Sequence, residues 1–149
     1  VGNTTLAIGT ISTSAGSFSG TNTITIGTNA SGGYTITIID VGNTTNPGLY
    51  SSGVSQLIAS NTVDLASVAG YGGQCHKNSG SGSCDANYPD TTGTSVGEFE
   101  VSPPSTFASY GSKPAGTDSF GIKVGARVSA SQEAGVYLDT LTLIGTANF

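Results

Sequence analysis

Strict two-residue alternation constrains this chain more than any other feature. In Thr23-Ile24-Thr25-Ile26 the Ile side chains take one face and the Thr side chains the other. After the turn signal Asn29-Ala30-Ser31-Gly32-Gly33 the pattern resumes in Tyr34-Thr35-Ile36-Thr37-Ile38, with Tyr34, Ile36 and Ile38 on one face. The two stretches together read as a β-hairpin. From Phe120 to Val128 the alternation sets Phe120, Ile122, Val124, Ala126 and Val128 on one face and Lys123 and Arg127 on the other. Residues 135–149 close the chain as a last strand, and residues 129–135 read as a second hairpin connection.

A period of two throughout, with turn residues between the runs, predicts an all-β chain. The expected architecture is a two-layer antiparallel β-sandwich, jelly-roll or immunoglobulin-like, lined by Ile, Val, Leu, Tyr and Phe. At 149 residues the chain is long enough for one such core. No linker divides it, so the expected organisation is an N-terminal arm over residues 1–16 and a single domain over 17–149. The echo of residues 1–5 in residues 41–45 stops after five residues and reads as turn chemistry, not a repeat.

Composition excludes several functions. Only 9% of residues are charged, against about 25% in ordinary domains. Four Lys and Arg in all give too little counter-charge for a phosphate backbone, so nucleic acid is not an expected partner. No apolar run approaches the ~18 residues of a membrane-spanning helix. The chain starts at Val1 and contains no Met, which reads as a processed product, most simply after removal of a signal peptide, with trimming as the alternative. An extracellular location is expected.

Cys75 and Cys84 are the only cysteines. A disulfide between them is the preferred reading; it fits an exported protein and would hold a long surface loop over residues 71–95. Two free thiols and a metal site are the alternatives. The metal reading lacks a Cys-x2-Cys spacing and has only His76 to add. Asp85, Asn87 and Asp90 place oxygens in a short loop, but without the density of a calcium motif. No nucleophile elbow, triad or nucleotide-binding glycine pattern is present, so no catalytic residue and no cofactor is assigned. Glu98 and Glu100 read as the solvated face of a strand through Phe99 and Val101, and the nearby prolines make that segment and Phe107 edge strands or loops. Acceptor sequons occur at Asn3, Asn29 and Asn43. Tyr50, Tyr71, Tyr88 and Tyr110 lie in or near expected loops, where they could stack on sugars. A monomeric carbohydrate-binding or adhesive module is therefore one alternative function, and a viral or surface-layer structural protein is another.

The start of the chain points to assembly. Leu6, Ile8 and Thr10 share one face of a short strand, Ala7, Gly9 and Ile11 the other, ahead of a Ser/Gly tether. Such a strand, extended outward, would complete a neighbour's sheet, giving an open head-to-tail polymer. The closing segment Gly135-Val-Tyr-Leu-Asp-Thr-Leu-Thr-Leu143 and the stretch from Asn22 to Ile38 resemble the corresponding strands of secreted pilin-like β-sandwiches, including spore coat U and fimbrial subunits. They are also similar to exported fibre proteins of the TasA and camelysin group. The resemblance implies donor-strand exchange between copies of the chain. Residues 6–11 would be the donor, with Leu6, Ile8 and Ile11 as its apolar side chains, and a groove lined in part by Tyr137, Leu141 and Leu143 the acceptor. The expected function is thus a structural subunit of an extracellular filament.

Overall fold

The computed structural model of the chain describes residues 5–149. Its strands, in chain order, are β1 (Ser17–Phe18), β2 (Asn22–Ile26), β3 (Tyr34–Asp40), β4 (Gly48–Ser51), β5 (Gln56–Ala59), β6 (Val63–Asp64), β7 (Gly70–Ser79), β8 (Ser83–Cys84), β9 (Ser95–Val96), β10 (Ser105–Tyr110), β11 (Asp118–Arg127) and β12 (Leu141–Ala147). All strand pairings are antiparallel, and the architecture is all-β. One sheet is centred on β11, which pairs with β7 on one side and with β2 and β1 on the other. The second runs β12-β3-β10-β8. Two small ribbons, β4-β5 and β6-β9, complete the strands.

The two sheets bury their inward faces against each other. Tyr34, Ile36 and Ile38 of β3 and Phe107 of β10 meet Phe120, Ile122, Val124 and Ala126 of β11 in one cluster. The alternation behaves as the sequence predicts: every second residue of β3 is buried, and the Ile residues of β2 point inward while its Thr residues face water. Tyr34 packs edge-on to Phe120 with ring centroids 6.5 Å apart. A second aromatic chain runs Tyr71–Phe99–Tyr88–Phe107, with successive centroids 5.2–5.8 Å apart. On the outer face of β11, Lys123 places its ammonium 4.8 Å from the Phe18 ring centroid. Arg127 donates to the carbonyls of Thr13 and Leu65.

Both expected hairpins are absent. β2 pairs with β11 in one sheet, whereas β3 pairs with β10 and β12 in the other. The turn at residues 27–33 therefore arches across the core. The connection from β11 to β12 likewise changes sheets. An arch leaves the same period-two pattern in sequence as a hairpin, because both strands bury one face in the same core.

The run expected as a loop over residues 71–95 begins instead with a ten-residue strand. β7 lies along β11 from Gly70 to Ser79, and Gly70 to Cys75 are all buried. Its glycines are structural. A side chain at Gly73 would overlap the Phe99 ring, and one at Gly72 would overlap the carbonyl of Gly97. Gly73 and Gly97 exchange main-chain hydrogen bonds at 2.9 and 2.8 Å, so the Gly97 backbone must come close. Phe107 is another correction: β10 is an interior strand, flanked by β3 and β8. Phe99 and its neighbours form no strand, yet Phe99 is fully buried.

Candidate functional site

Cys75 on β7 and Cys84 on β8 form a disulfide with their Cα atoms 5.8 Å apart. Because β7 and β8 belong to different sheets, the bond closes one edge of the sandwich. Beside it, Asp118 ties the turn between β7 and β8. Its carboxylate accepts from the Tyr34 hydroxyl at 2.5 Å, the Ser81 amide at 2.7 Å and the Gly82 amide at 2.8 Å. Burial alone would raise its pKa. The Tyr34 hydrogen bond, then the two amides, outweigh burial and hold it below the ordinary carboxylate value.

The opposite edge is different. There β2 and β12 are the outermost strands of their sheets, and among the described residues each pairs with one neighbour only. They approach each other closely at one end, where a side chain on Gly145 would lie 3.1 Å from Cδ1 of Ile26. Their inward residues Ile24, Ile26, Leu141 and Leu143, with Tyr137 just ahead of β12, pack on the core but stay only half-buried. Inward-facing apolar side chains that keep part of their surface in water mark a seam where the core is not fully covered. The edges themselves are unguarded. Neither β2 nor β12 carries a charge or a proline, the usual deterrents to edge pairing. Val136, Leu138, Ile144 and Phe149, all in the C-terminal stretch, are among the most exposed large apolar residues, with Val136 76% and Leu138 70% exposed.

The N-terminal arm lies against its own domain. Leu6, Ile8 and Ile11 are half-buried and pack on the core. The sequence puts Ile11 on the opposite face from Leu6 and Ile8; Gly9, at φ +81°, kinks the backbone and brings all three to one side. The expected strand over residues 6–11 is not formed: among the described residues, 5–11 make no main-chain ladder bond. The arm is held at its base, where Ser17 Oγ donates to the Thr10 carbonyl at 2.9 Å and the Val128 amide donates to the Ser12 carbonyl at 3.2 Å.

The residues expected to line an acceptor groove lie at the β12 edge. Leu141 and Leu143 point inward from β12, and the Tyr137 hydroxyl donates to the Glu133 carbonyl at 2.7 Å while accepting from Gln132. Of the sequons, Asn29 is exposed and Asn43 is half-exposed, its side-chain oxygen accepting from the amides of Thr45 and Asn46. Asn3 lies outside the described residues. In the loop weighed for calcium, Asp85 accepts from the Asn87 amide at 3.0 Å, while Asp90 accepts from Thr92 and pairs with His76 at 2.7 Å. These carboxylates act as local turn caps.

Two of the four tyrosines expected on loops are core residues. Tyr71 and Tyr88 are 2% and 3% exposed, so they offer no sugar-stacking face. Sequence reasoning also missed a buried carboxyl. Asp40, at the end of β3, is fully buried, and neither of its oxygens has a hydrogen-bond donor. Comparison with known proteins gives no further guide: no family model, curated protein or solved structure matches this chain.

Proposed function

We propose that this protein is a structural subunit of an extracellular filament, polymerising non-covalently by passing residues 6–11 to the open seam of the next copy. One observation carries the reading: the chain holds both an apolar arm that contacts the core without a ladder bond and two uncharged edge strands whose outer main-chain groups are unpaired among the described residues.

Exchange adds interactions that the arm lacks at its resting place. Moving the arm onto the neighbour's β2 or β12 edge adds ladder bonds that it lacks in its own domain. About five such bonds at ~0.5–1.5 kcal/mol each contribute roughly 3–7 kcal/mol. Leu6, Ile8 and Ile11 are only half-buried at home. Completing their burial adds about 1 kcal/mol each, given ~1.5–3 kcal/mol for full burial of such a side chain. The sum is on the scale of the association cost, about 4–15 kcal/mol. Ladder and groove are therefore both required. Each subunit gives one strand and receives one, so the assembly is head-to-tail and open.

Negative-stain electron microscopy and light scattering of the purified full chain test this. The expected result is uniform threads and high mass. Deleting residues 1–12, or substituting Leu143→Asp in the seam, leaves a monomer with the same β-type circular dichroism. Threads that persist unchanged in the deletion variant, or a full chain that stays monomeric at high concentration, refute the reading.

A further inference from the structure

The buried carboxyl of Asp40 stands in an unusual setting. Its main chain is fixed in the sheet, with the Asp40 amide donating to the Glu100 carbonyl at 3.0 Å. Asp139 lies two residues before Leu141, the residue opposite Asp40, so the two carboxyls are diagonal neighbours on one face of the sheet. Asp139 sits in the segment that leads into β12. It already accepts from the Gly42 amide at 3.1 Å, the Thr140 amide at 2.6 Å and the Tyr71 hydroxyl at 3.0 Å. Those donors suit a carboxylate on Asp139. If Asp40 were also charged, two anions would face each other and both Asp40 oxygens would stay orphaned in the core, a costly arrangement.

We infer that Asp40 and Asp139 share one proton, carried on Asp40 and donated to Asp139, and that this pair is a pH-operated latch holding residues 138–141 onto the end of β3. The proton resolves both problems at once. It gives Asp40 a donor, gives one of its oxygens a partner, and removes the second negative charge. A cation in place of the proton is disfavoured by the same geometry, since the N–H and O–H groups around Asp139 point their positive ends at the site.

The surroundings agree. Burial, then the negative charge of Asp139, push the Asp40 carboxyl up to about 8; the nearby Gly48 and Gly42 amides oppose this weakly, and neither reaches hydrogen-bond geometry on an Asp40 oxygen. Tyr71 faces the pair, and its hydroxyl is held protonated by burial and by both carboxyls. Tyr88 feels Asp40 and Glu100 in the same way and is also raised, chiefly by burial. No Lys, Arg or His is among the groups acting on Asp40. Asp139 also lines a shallow surface depression of about 220 Å³ with Tyr50 and Leu138, which brings water and hydroxide to the Asp139 side of the pair.

The mechanical consequence falls on the open edge. The Val41 amide donates to the Thr140 carbonyl, and Leu141 is the β12 residue opposite Asp40. Loss of the proton to a base in solution leaves two carboxylates in contact, and their repulsion acts where β12 enters its sheet. A folded-state value raised above the ordinary 3.8 means that the proton stabilises the fold. That contribution is full below about pH 4 and is lost as pH rises through about 8.

The test is a carboxyl-carbon NMR titration of the full chain, together with amide hydrogen exchange over residues 138–143 in wild type and Asp40→Asn. Asn keeps the shape and can donate to Asp139 without ionising. Asp40 should titrate near pH 8. Exchange over 138–143, corrected for its intrinsic base-catalysed rate, should rise about tenfold in wild type one pH unit beyond that midpoint, and stay flat in the variant. An Asp40 carboxyl that titrates near pH 4 overturns the proposal, and needs no variant to do so. So does a pH profile shared by both proteins. A calcium-dependent gain in thermal midpoint at pH 9 that Asp40→Asn lacks also overturns it, by showing that the orphaned oxygens hold a cation.

Discussion

Tyr34→Phe isolates the clamp that joins the two sheets. Tyr34 is fully buried on β3 and its hydroxyl donates to Asp118 on β11. Phe keeps the ring, its edge-on contact with Phe120 and the core volume, so no cavity term enters. What is lost is one charge-assisted hydrogen bond to a buried carboxylate, worth about 1.5–3 kcal/mol. The Ser81 and Gly82 amides remain, so Asp118 is weakened but not stranded. For a chain of this size about 2 kcal/mol corresponds to a fall in thermal midpoint of roughly 4–8 °C. The assay is guanidinium unfolding at pH 6, with an unchanged denaturant slope. The pH dependence adds a second check. Asp118 is held below its ordinary 3.8, so its contribution is present above that value and disappears as pH falls through the folded-state value. The gap between wild type and Tyr34→Phe should therefore be constant between pH 5 and 7 and narrow at lower pH. A loss under about 0.5 kcal/mol at pH 6, the low end for a neutral hydrogen bond, refutes the assignment of the carboxylate to this clamp. A gap that does not narrow in acid refutes it equally.

Replacing Cys75 and Cys84 together by Ser removes a cross-link with a sequence separation of 9. Loop-closure entropy sets the cost at about 2–3 kcal/mol, read as a lower denaturant midpoint with the β-type dichroism retained. Gly73→Ala places a methyl group into the Phe99 ring, and overpacking of this kind costs about 1–3 kcal/mol; a neutral result in the same unfolding assay would show that Phe99 has room to move.

What was legible in the sequence was the facing of residues, and what was hidden was their partnering. Alternation correctly assigns Tyr34, Ile36 and Ile38 to the core and Lys123 and Arg127 to the outside, because facing is a local property of a pleated chain. It cannot say whether β2 meets β3 or β11, since both choices bury the same side chains. The pairing of Cys75 with Cys84 was legible because so short a separation leaves few alternatives. β7 was hidden for a different reason. Glycine carries no facing signal, and here it marks the closest approach of neighbouring backbones at Gly72 and Gly73, not flexibility. Tyr71 and Tyr88 were misplaced as a consequence, since their depth depends on that strand. Nothing in the sequence marks Asp40; only its position opposite Leu141 brings it near Asp139.

The low charge of the chain gains meaning at its edges. Most sandwich proteins protect outer strands with lysine, proline or a covering loop, because an open edge pairs with any other. Here one edge is closed covalently by the disulfide, and the other, β2 and β12, is left without charge. A monomeric protein would bear that edge as an aggregation hazard, since uncharged, alternating strands pair without discrimination. Specificity then has to come from the occupant. On the proposed reading the arm supplies it, through Leu6, Ile8 and Ile11, which pack on the core, and Gly9, whose positive φ sets their spacing. On our reading the arm rests on its own core until a second copy arrives. On that reading the same unpaired main chain that makes the edge hazardous also gives the polymer its direction, because the arm of a neighbour brings both the ladder and the side chains that the seam lacks.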